Sequence, residues 1–271
     1  MSKEVAMTCD LHIHSRYSFD GTASLEEICQ SARERGVDIL ALTDHCDMLD
    51  GPEGISAYLA CEQELKAAYH QLDKTGLQVL YGVELGNPHE FPRETEAFLA
   101  ERKFDFIIGS VHFLPDGSDI YKLPYSTQEE IETMFRQNFL SMQHLVAYGG
   151  FDTLAHLDYP VRKLQGKIPD TSMLPYRELI EPVLELLVQK DIALEINTRG
   201  TYDWQNRVGP EDWVLQRYRE LGGRYVTIGS DAHVTKYVGA GFAEAAAALK
   251  RTGFDSYTIY KDRSPIQIPL K

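Results

Sequence analysis

The chain has 271 residues, of which 43% are hydrophobic and 25% are charged, the balance of an ordinary globular protein with a large core. Its formal net charge of −14 excludes a surface built for duplex nucleic acid, because such surfaces depend on clustered Lys and Arg, and favours a small-molecule ligand. No apolar window approaches the length of a membrane span, and the first residues lack the apolar core of a secretion signal. We therefore expect a cytoplasmic protein without a membrane partner.

The first predicted strand, residues 9–13, runs into two histidines separated by one residue. Side chains alternate between the faces of a strand, so His12 and His14 lie on one face while Leu11 and Ile13 lie on the other. Two imidazoles side by side at a strand end are suited to a shared metal ion. The pair alone leaves open a half-buried strand with unrelated histidines.

A helix follows this strand, with Ser24 as its predicted N-cap and Glu27 as the capping-box partner. Residues 37–43 then form a nearly continuous apolar run, as expected of a strand buried on both faces, and His45 stands just behind its end. Cys46 is interpreted as a small buried residue rather than a ligand. The four cysteines lack CxxC spacing, so we expect reduced thiols.

Five more apolar segments of strand length alternate with helical patterns. The strands are predicted at 77–83, 104–112, 151–156, 192–197 and 224–229, and the helices at 54–74, 94–102, 128–148, within 159–190, at 210–221 and at 242–251. Polar residues stand at the ends of these strands, namely Glu84, His112, His156, Asn197 and, after the last strand, Asp231 and His233. His70 and His144 on helices are interpreted as structural, and 257–260 as a short strand beside the barrel's edge.

Seven strand-then-helix units predict an α/β fold with a parallel sheet. Seven units over about 250 residues favour closure into a (β/α)₇ barrel, TIM-like, as a single domain over residues 1–271. An open doubly wound sheet remains the alternative, because periodicity alone does not establish closure. The lack of a GxGxxG sequence after the first strand weakens the dinucleotide-binding form of that alternative.

The carboxyl ends of the strands share one face in such folds, and sites are built there. Six of the nine histidines and three carboxylates converge on that face. The candidate metal ligands are His12, His14, Asp20, His45, Glu84, His112, His156, Asp231 and His233. Imidazole and carboxylate ligands suit Zn²⁺, Mn²⁺ or Fe²⁺, and nine ligands are enough for two or three divalent ions.

The charge of this cluster indicates the substrate. Six neutral histidines and three carboxylates carry −3, which three divalent ions would turn to +3, and a phosphate dianion with one hydroxide balances that charge. A metal ion polarises a phosphoryl oxygen and lowers the pKa of a bound water toward about 7, so that hydroxide can attack phosphorus in line. The expected reaction is therefore metal-dependent hydrolysis of a small phosphate monoester.

Basic residues close to the strand ends are candidates to bind the phosphate. Arg162 and Arg199 can each grip a phosphate with two parallel hydrogen bonds, and both are candidate substrate-binding and catalytic residues, although a surface role stays open for each. Asp231 and His233 are candidate catalytic residues in addition to their expected role as ligands.

Three further polar residues lie close to these positions in the sequence. Asn197 and Ser230 are candidates to hydrogen-bond and orient ligating histidines. His89 is a candidate substrate-binding residue, although a structural role is the favoured interpretation.

Six segments resemble, in the right order, the motifs of the polymerase-and-histidinol-phosphatase (PHP) superfamily: DLHIHS, TDH, the glutamate after the third strand, GSVH, AHLD and SDAH. The resemblance covers nearly the whole chain and implies a distorted (β/α)₇ barrel with a trinuclear metal centre. It implies a first ion on His12, His14, Glu84 and Asp231, a second on Glu84, His112 and His156, and a third on Asp20, His45 and His233. Several members carry histidine where this chain has Asp20, a difference that bears on the occupancy and the identity of the third ion.

Within that superfamily, the chain length, the GSVH strand and the EINT segment resemble the monofunctional histidinol-phosphatases. That resemblance implies hydrolysis of L-histidinol phosphate to L-histidinol and phosphate, a step of histidine biosynthesis. This substrate carries a cationic amine, so Asp116 and Asp119 in the loop after His112, or Glu90, are candidates to bind it.

Three other functions compete with this interpretation. The first is a phosphoesterase of the same superfamily that acts on a nucleotide, a sugar phosphate or a short oligonucleotide. The second is a metal-binding module without turnover, which the competent type of all nine ligand positions disfavours. The third is a metal-dependent amide hydrolase, which the strongly positive loaded site disfavours.

Overall fold

Strands and helices alternate along residues 7–49, 54–164 and 172–270, the part of the chain that the computed structural model describes. The elements are β1 (Cys9–Ile13), α1 (Leu25–Glu34), β2 (Ile39–Leu42), β3 (His45–Asp47), α2 (Ile55–Gln71), β4 (Gln78–Gly86), α3 (Pro92–Ala100), β5 (Phe106–Ser110), α4 (Gln128–Tyr148), β6 (Thr153–Leu154), α5 (Arg177–Gln189), β7 (Ala193–Asn197), α6 (Asp212–Glu220), β8 (Val226–Gly229), α7 (Phe242–Arg251), β9 (Ser256–Lys261) and β10 (Ser264–Pro269).

A parallel sheet of seven strands, β1, β2 and β4 to β8, curls into a barrel in which neighbours in space are successive in the chain. The two ends of the sheet meet where the His14 N–H donates to the Ala232 carbonyl (2.9 Å) and the Asp231 N–H donates to the His12 carbonyl (2.8 Å). The predicted (β/α)₇ barrel is thereby confirmed. β3 continues beyond β2 along the edge of β4 and places His45 opposite Glu84.

Most predicted elements lie close to their predicted positions. α4 and α7 have the predicted bounds, and the capping box of α1 is formed by mutual hydrogen bonds between Ser24 and Glu27. β6 is shorter than predicted because the chain leaves the extended conformation before His156, whose φ is 21°. β3 and β10 are additional strands.

The barrel strands are buried on both faces, as their apolar runs predict. Every residue of β1, β2, β5 and β7 is buried. The helices cover the barrel with apolar stripes; in α5 the stripe consists of Ile180, Val183, Leu184 and Leu187. None of the helices in the described ranges is both long and apolar enough to cross a lipid bilayer.

β9 and β10 form a separate antiparallel hairpin, so the strand predicted at 257–260 is present but pairs with β10. The hairpin packs across the amino-terminal end of the barrel. The Arg263 N–H in its turn donates to the Asp105 carbonyl (2.9 Å) before β5, and the Tyr257 hydroxyl donates to the Met7 carbonyl (2.8 Å) before β1. The end of the barrel opposite the histidines is therefore covered by the last two strands.

Arg263 anchors this hairpin to the barrel. Its Nε donates to the two carboxylate oxygens of Asp152 (2.7 and 2.6 Å), and its Nη2 donates to the Gly150 carbonyl (3.0 Å). Asp152 is buried and also accepts the Ile107 N–H (2.8 Å), so its carboxylate joins the hairpin to β5. Burial raises the pKa of Asp152 to about 6, although Arg263 acts in the opposite direction.

Replacing Arg263 with Ala is expected to lower the free energy of unfolding by about 2 kcal/mol at neutral pH, because the buried Asp152 carboxylate loses its cation. The loss should shrink below a pH of about 6, where Asp152 binds a proton in the folded state and no longer needs that cation. Urea denaturation above and below this pH measures both effects.

The matched control is Arg224→Ala, which removes a pair with Asp191 in which both side chains are 63% exposed. Its expected effect is below about 0.5 kcal/mol at either pH. Equal losses for the two variants would contradict the anchoring role of Arg263.

Candidate active site

The Glu84 carboxylate, fully buried near the end of β4, is the centre of the histidine cluster. Five imidazoles surround it within hydrogen-bonding or ion-pairing distance. The distances to its oxygens are 3.2 Å from His12 Nε2, 3.5 Å from His14 Nε2, 3.0 Å from His45 Nδ1, 3.3 Å from His112 Nε2 and 3.0 Å from His156 Nε2. The histidines reach it from the ends of different strands, as the barrel geometry predicts.

Local backbone features explain how these side chains meet. His12 and His14 share a face of β1, and their ring centroids are 5.0 Å apart. Gly229 at the end of β8 makes room for them, because a Cβ there would lie 2.3 Å from the His12 Cβ. His112 is held through its backbone, since the His112 N–H donates to the Asn87 side-chain oxygen (2.9 Å).

Two buried carboxylates orient the imidazoles of His12 and His112. His12 Nδ1 lies 2.6 Å from Glu195 Oε1, and His112 Nδ1 lies 2.8 Å from Asp47 Oδ1. A carboxylate acceptor keeps the proton on Nδ1 and leaves the Nε2 lone pair directed at the cluster. This carboxylate–histidine arrangement is typical of metal ligands.

Sequence reasoning missed both of these carboxylates. Glu195 is a lone acidic residue inside the apolar strand β7, which was a usable signal for a buried role. It also accepts the His156 backbone N–H (2.6 Å), so it contacts two of the histidine positions. Asp47 lies two residues beyond His45, where the sequence shows only an ordinary loop acid.

His14 and His233 have different partners for their Nδ1 atoms. His14 Nδ1 lies 3.2 Å from the Ser18 hydroxyl, which in turn donates to Asp44 Oδ1 (2.7 Å). His233 Nδ1 lies 2.9 Å from the Asp231 carbonyl, an acceptor, and 3.0 Å from Arg199 Nη1, a donor, while His233 Nε2 faces Asp20. Four of the six histidines direct Nε2 at Glu84, and a fifth, His233, directs Nε2 at Asp20.

The electrostatics of the cluster fit divalent cations. Burial lowers the pKa values of His12 and His112, but the carboxylates beside them outweigh burial and raise both well above the ordinary value. Burial raises the pKa of Glu84, and the histidines reverse this and hold it well below its usual range. Positive charge is thus strongly favoured among these groups, whether it is supplied by protons or by metal ions.

Unpartnered polar atoms give an independent test of that fit. Five buried atoms of the cluster make no hydrogen bond of suitable geometry with the described residues, namely His12 Nε2, His14 Nε2, His45 Nδ1, His156 Nδ1 and Glu84 Oε2. Three groups have donor atoms within 4.8 Å of one another: His14, His45 and His233; His12, His14 and Glu84; and His45, Glu84 and His112. This donor set fits Zn²⁺, Mn²⁺ or Fe²⁺.

The two remaining acidic candidates complete the cluster. Asp20 Oδ2 lies 2.9 Å from His233 Nε2, and Asp20 Oδ1 lies 3.6 Å from His45 Nε2. Asp231 Oδ1 lies 3.6 Å from His14 Nε2. All nine predicted ligand positions are therefore neighbours. Cys46 is buried and belongs to none of the three donor groups.

A cleft of about 360 Å³ opens above the cluster. Its base includes His45, His112, His156, Asp231 and His233, and its walls include Phe19, Asp119, Tyr121, Lys122, Tyr159, Arg162 and Arg199. A larger groove of about 600 Å³ runs along α1 and contains none of the candidate ligands, so the cleft is the site of interest.

Arg162 and Arg199 both contact the Asp231 carboxylate inside this cleft. Arg162 Nη2 donates to Asp231 Oδ2 (2.7 Å), and Arg199 Nη1 donates to Asp231 Oδ1 (3.3 Å). Burial raises the pKa of Asp231, but the two guanidinium groups outweigh it and hold that pKa well below its usual range. Two cations therefore stand beside the histidine cluster, where an anionic group would meet them.

The other predicted substrate contacts are divided between the cleft and the outer surface. Asp119 lies in the cleft, whereas Asp116 is exposed and lines a different surface groove next to α4. His89 lies against α4, where its Nε2 is 3.0 Å from the Ser141 hydroxyl, and Glu90 beside it is exposed. These positions favour Asp119 over the other three as a group that meets substrate.

Asn197 and Ser230 hydrogen-bond to buried carboxylates rather than to the histidines themselves. The Asn197 amide donates to Glu195 Oε2 (3.2 Å), which supports the carboxylate behind His12. The Ser230 hydroxyl donates to Asp10 Oδ2 (2.5 Å) and contacts no histidine among the described hydrogen bonds. Asn197 therefore stabilises the orientation of His12 indirectly, and Ser230 fixes the loop that carries Asp231.

A family model described as the PHP domain matches residues 10–199. The chain is 30% identical over 246 residues to the "Probable histidinol-phosphatase" of Thermotoga maritima, with 91% of this chain and 93% of that protein covered. It is 28% identical over 252 residues to the histidinol-phosphatase of Lactococcus lactis, with 90% and 91% covered. It shares the fold of the crystal structure of histidinol phosphate phosphatase from L. lactis complexed with zinc, L-histidinol and phosphate, with a TM-score of 0.77, 24% identity and coverage of 96% and 98%.

Replacing Glu195 with Gln is expected to weaken the binding of divalent transition metals by about 10- to 100-fold, because a neutral amide no longer fixes the Nδ1 proton of His12. Competition with a chromophoric chelator measures the affinity, and elemental analysis measures the metal content after dialysis. Glu185→Gln, on the exposed face of α5, is the matched control. Wild-type metal affinity in both variants would contradict the role assigned to Glu195.

Proposed function

Because the chain belongs to the PHP domain family, we propose that it is a metal-dependent phosphoesterase that hydrolyses L-histidinol phosphate to L-histidinol and phosphate. The observation that carries this proposal is the cleft in which two arginines face a buried cluster of histidines and carboxylates. That arrangement suits a phosphate monoester, which is anionic and is attacked at an electrophilic phosphorus atom. The choice of substrate is supported by the full-length similarity to histidinol-phosphatases.

The metal ions proposed for this site are two or three divalent transition-metal ions, Zn²⁺, Mn²⁺ or Fe²⁺. Support comes from the nine neighbouring donor residues and from the overlap of the three compact donor groups, which share His14, His45 and Glu84. A third ion would depend on Asp20, which is 39% exposed and contacts His45 and His233. Bound divalent cations would polarise the phosphoryl oxygens and activate a water molecule.

The protein's own residues would orient the ester. Arg162 and Arg199 are placed to donate hydrogen bonds to phosphate oxygens, since both line the cleft and carry charge that Asp231 only partly offsets. Asp231 holds the two guanidinium groups on the same side of the cluster. His233 Nδ1 lies beside the Asp231 carbonyl and 3.0 Å from Arg199 Nη1, so Asp231 and His233 would both serve catalysis by fixing the position of Arg199.

We extend the proposal to the whole chain and to its location. Residues 1–271 are proposed to be one barrel domain, because β8 closes on β1 and the terminal hairpin packs on the same barrel. The cytoplasm is the proposed location, which is consistent with the four free cysteines.

Hydrolysis of a panel of phosphate esters tests the function. We expect L-histidinol phosphate to have the highest kcat/KM, ahead of nucleotides, sugar phosphates and short oligonucleotides. Treatment with excess chelator should abolish the activity, and Zn²⁺, Mn²⁺ or Fe²⁺ should restore it, because the proposed nucleophile is a water molecule that the metal ions activate. Phosphate release measures both experiments.

Each outcome of these experiments is informative. A clear preference for another ester would overturn the substrate and keep the reaction class. No hydrolysis of any ester by protein with confirmed metal content would overturn the enzymatic function. Full activity in excess chelator after prolonged incubation would overturn the role of the metal ions.

Asp119 is proposed to bind the amine of the substrate. It lies in the cleft wall, with Oδ1 accepting the Tyr121 N–H (2.8 Å) and Oδ2 beside Lys122 Nζ (2.9 Å). Replacing Asp119 with Ala is expected to raise the KM for L-histidinol phosphate about tenfold, because a charge-assisted contact of about 1.5 kcal/mol is lost. Steady-state kinetics on this substrate and on a phosphate ester without an amine measure the difference.

Asp116→Ala is the matched control for this experiment. Asp116 accepts the Ser118 N–H (2.9 Å), the same type of turn bond as that of Asp119, but it lies outside the cleft. Its substitution should leave the KM unchanged. If Asp119→Ala raised the KM for the amine-free ester equally, the contact with the amine would be disproved.

A further inference from the structure

The guanidinium group of Arg162 lies close to two aromatic rings. Its Cζ atom is 4.9 Å from the ring centroid of Tyr159 and 4.9 Å from that of Trp204. Tyr159 belongs to the same short helical turn as Arg162, whereas Trp204 comes from the loop after β7. Both distances are within the range of an attractive cation–π contact.

The loop that carries Trp204 is held in a defined position. Its two ends are joined by a pair of backbone hydrogen bonds, from the Asn197 N–H to the Gly209 carbonyl (2.8 Å) and from the Gly209 N–H to the Asn197 carbonyl (2.9 Å). The neighbouring Gln205 amide donates to Asp158 Oδ2 (3.1 Å), two residues after His156. Trp204 is thereby fixed beside Arg162 and is only 7% exposed.

Hydrogen bonding does not explain why a tryptophan occupies this position. The indole Nε1 of Trp204 is buried and has no hydrogen-bond partner among the described residues. A buried indole N–H normally finds an acceptor, and leaving it unpaired is unfavourable. The contact that the ring makes with Arg162 is a favourable interaction that offsets this cost.

Arg162 itself has spare hydrogen-bonding capacity. Its side chain is 9% exposed, its Nη2 donates to Asp231, and its Nε is buried without a partner in the described part of the chain. A guanidinium group has five N–H donors in one plane, so the direction of that plane decides which anion it can meet. Two aromatic rings in contact with the guanidinium group restrict its rotation.

We propose that Trp204, together with Tyr159, is a positioning residue that fixes the guanidinium plane of Arg162 for binding the phosphoryl group. This inference rests on the phosphate-binding role proposed above for Arg162. The loop after β7 would then contribute two residues to one phosphate site, Trp204 through its contact with Arg162 and Arg199 directly. Trp204 acts through Arg162 and does not touch the reacting atoms.

Inorganic phosphate is the probe for this inference, used with the metal-loaded full-length protein. In Trp204→Leu, which removes the aromatic face, the inhibition constant for phosphate should rise about tenfold, equivalent to ~1.4 kcal/mol. In Trp204→Phe, which keeps a ring, it should stay within about twofold of the wild type. An unchanged constant in folded Trp204→Leu, or an equal loss in Trp204→Phe, would overturn the proposal.

A second measurement needs no change at Trp204. The chain has only two tryptophans, so Trp213→Phe leaves Trp204 as the only indole fluorophore. Trp213 lies on α6, where its Nε1 donates to Glu211 (3.1 Å), away from the cleft. Saturating phosphate should change the emission of Trp204 in this variant. Unchanged emission, with phosphate binding verified by inhibition, would overturn the proposal even if Trp204→Leu failed to fold.

These measurements separate the inference from the proposed function. A tenfold loss of phosphate affinity in Trp204→Leu, measured as inhibition of the hydrolysis of another phosphate ester, with no turnover of L-histidinol phosphate by the wild type, would keep the inference and overturn the substrate. Normal turnover of L-histidinol phosphate by the wild type, with unchanged phosphate affinity in Trp204→Leu, would keep the proposed substrate and overturn the inference.

Discussion

The burial of one carboxylate, that of Glu84, is the constraint on which the rest of the structure depends. A fully buried carboxylate is unstable without compensating charge, and here the compensation comes from imidazoles supplied by several strands. The complete site forms only if the sheet closes, because His12 and His14 lie at the end of the first strand, whereas His233, which contacts Asp20, follows the last. The hydrogen bonds that close the barrel, from the His14 and Asp231 N–H groups, lie within the site itself. Closing the fold and assembling the site are therefore one event.

The two carboxylates that orient His12 and His112 add negative charge to the cluster, and two arginines beside the cluster offset that charge. Glu195 and Asp47 add two negative charges to the three that the sequence indicates, and Arg162 and Arg199 add two positive charges. The net charge before cations thus stays at −3 with neutral histidines. The two arginines line the cleft, as does Asp47, whereas Glu195 stands behind the His12 imidazole, so part of the added negative charge is kept away from the cleft.

Sequence patterns predicted the fold and the clustering of the nine candidate ligands well because both depend on local rules. Alternation along β1 places His12 and His14 together, and the end of a parallel strand has a known position in the fold. The supporting residues depend on contacts between distant parts of the chain: Glu195 meets His12 across 183 positions, and no local pattern encodes that pairing. His89 shows that proximity in sequence is not enough, because it is close to Glu84 in sequence but its side chain is directed to α4, in agreement with the structural role favoured for it.

Asp231 contacts both the buried histidine cluster and the two arginines. Its backbone has an unusual conformation that other residues hold in place. Its φ of 55° is left-handed, a conformation that Asp adopts more readily than most residues but that still needs support from its surroundings. The support comes from the preceding residue, since the Tyr202 hydroxyl donates to the Ser230 carbonyl (2.7 Å) and the Ser230 N–H donates to Asp10 Oδ1 (2.8 Å). Tyr202 belongs to the loop that also carries Arg199 and Trp204. One loop therefore sets the backbone of Asp231, supplies one of its arginines and holds the other in place, so a change of that loop would act on the anion site without altering any histidine.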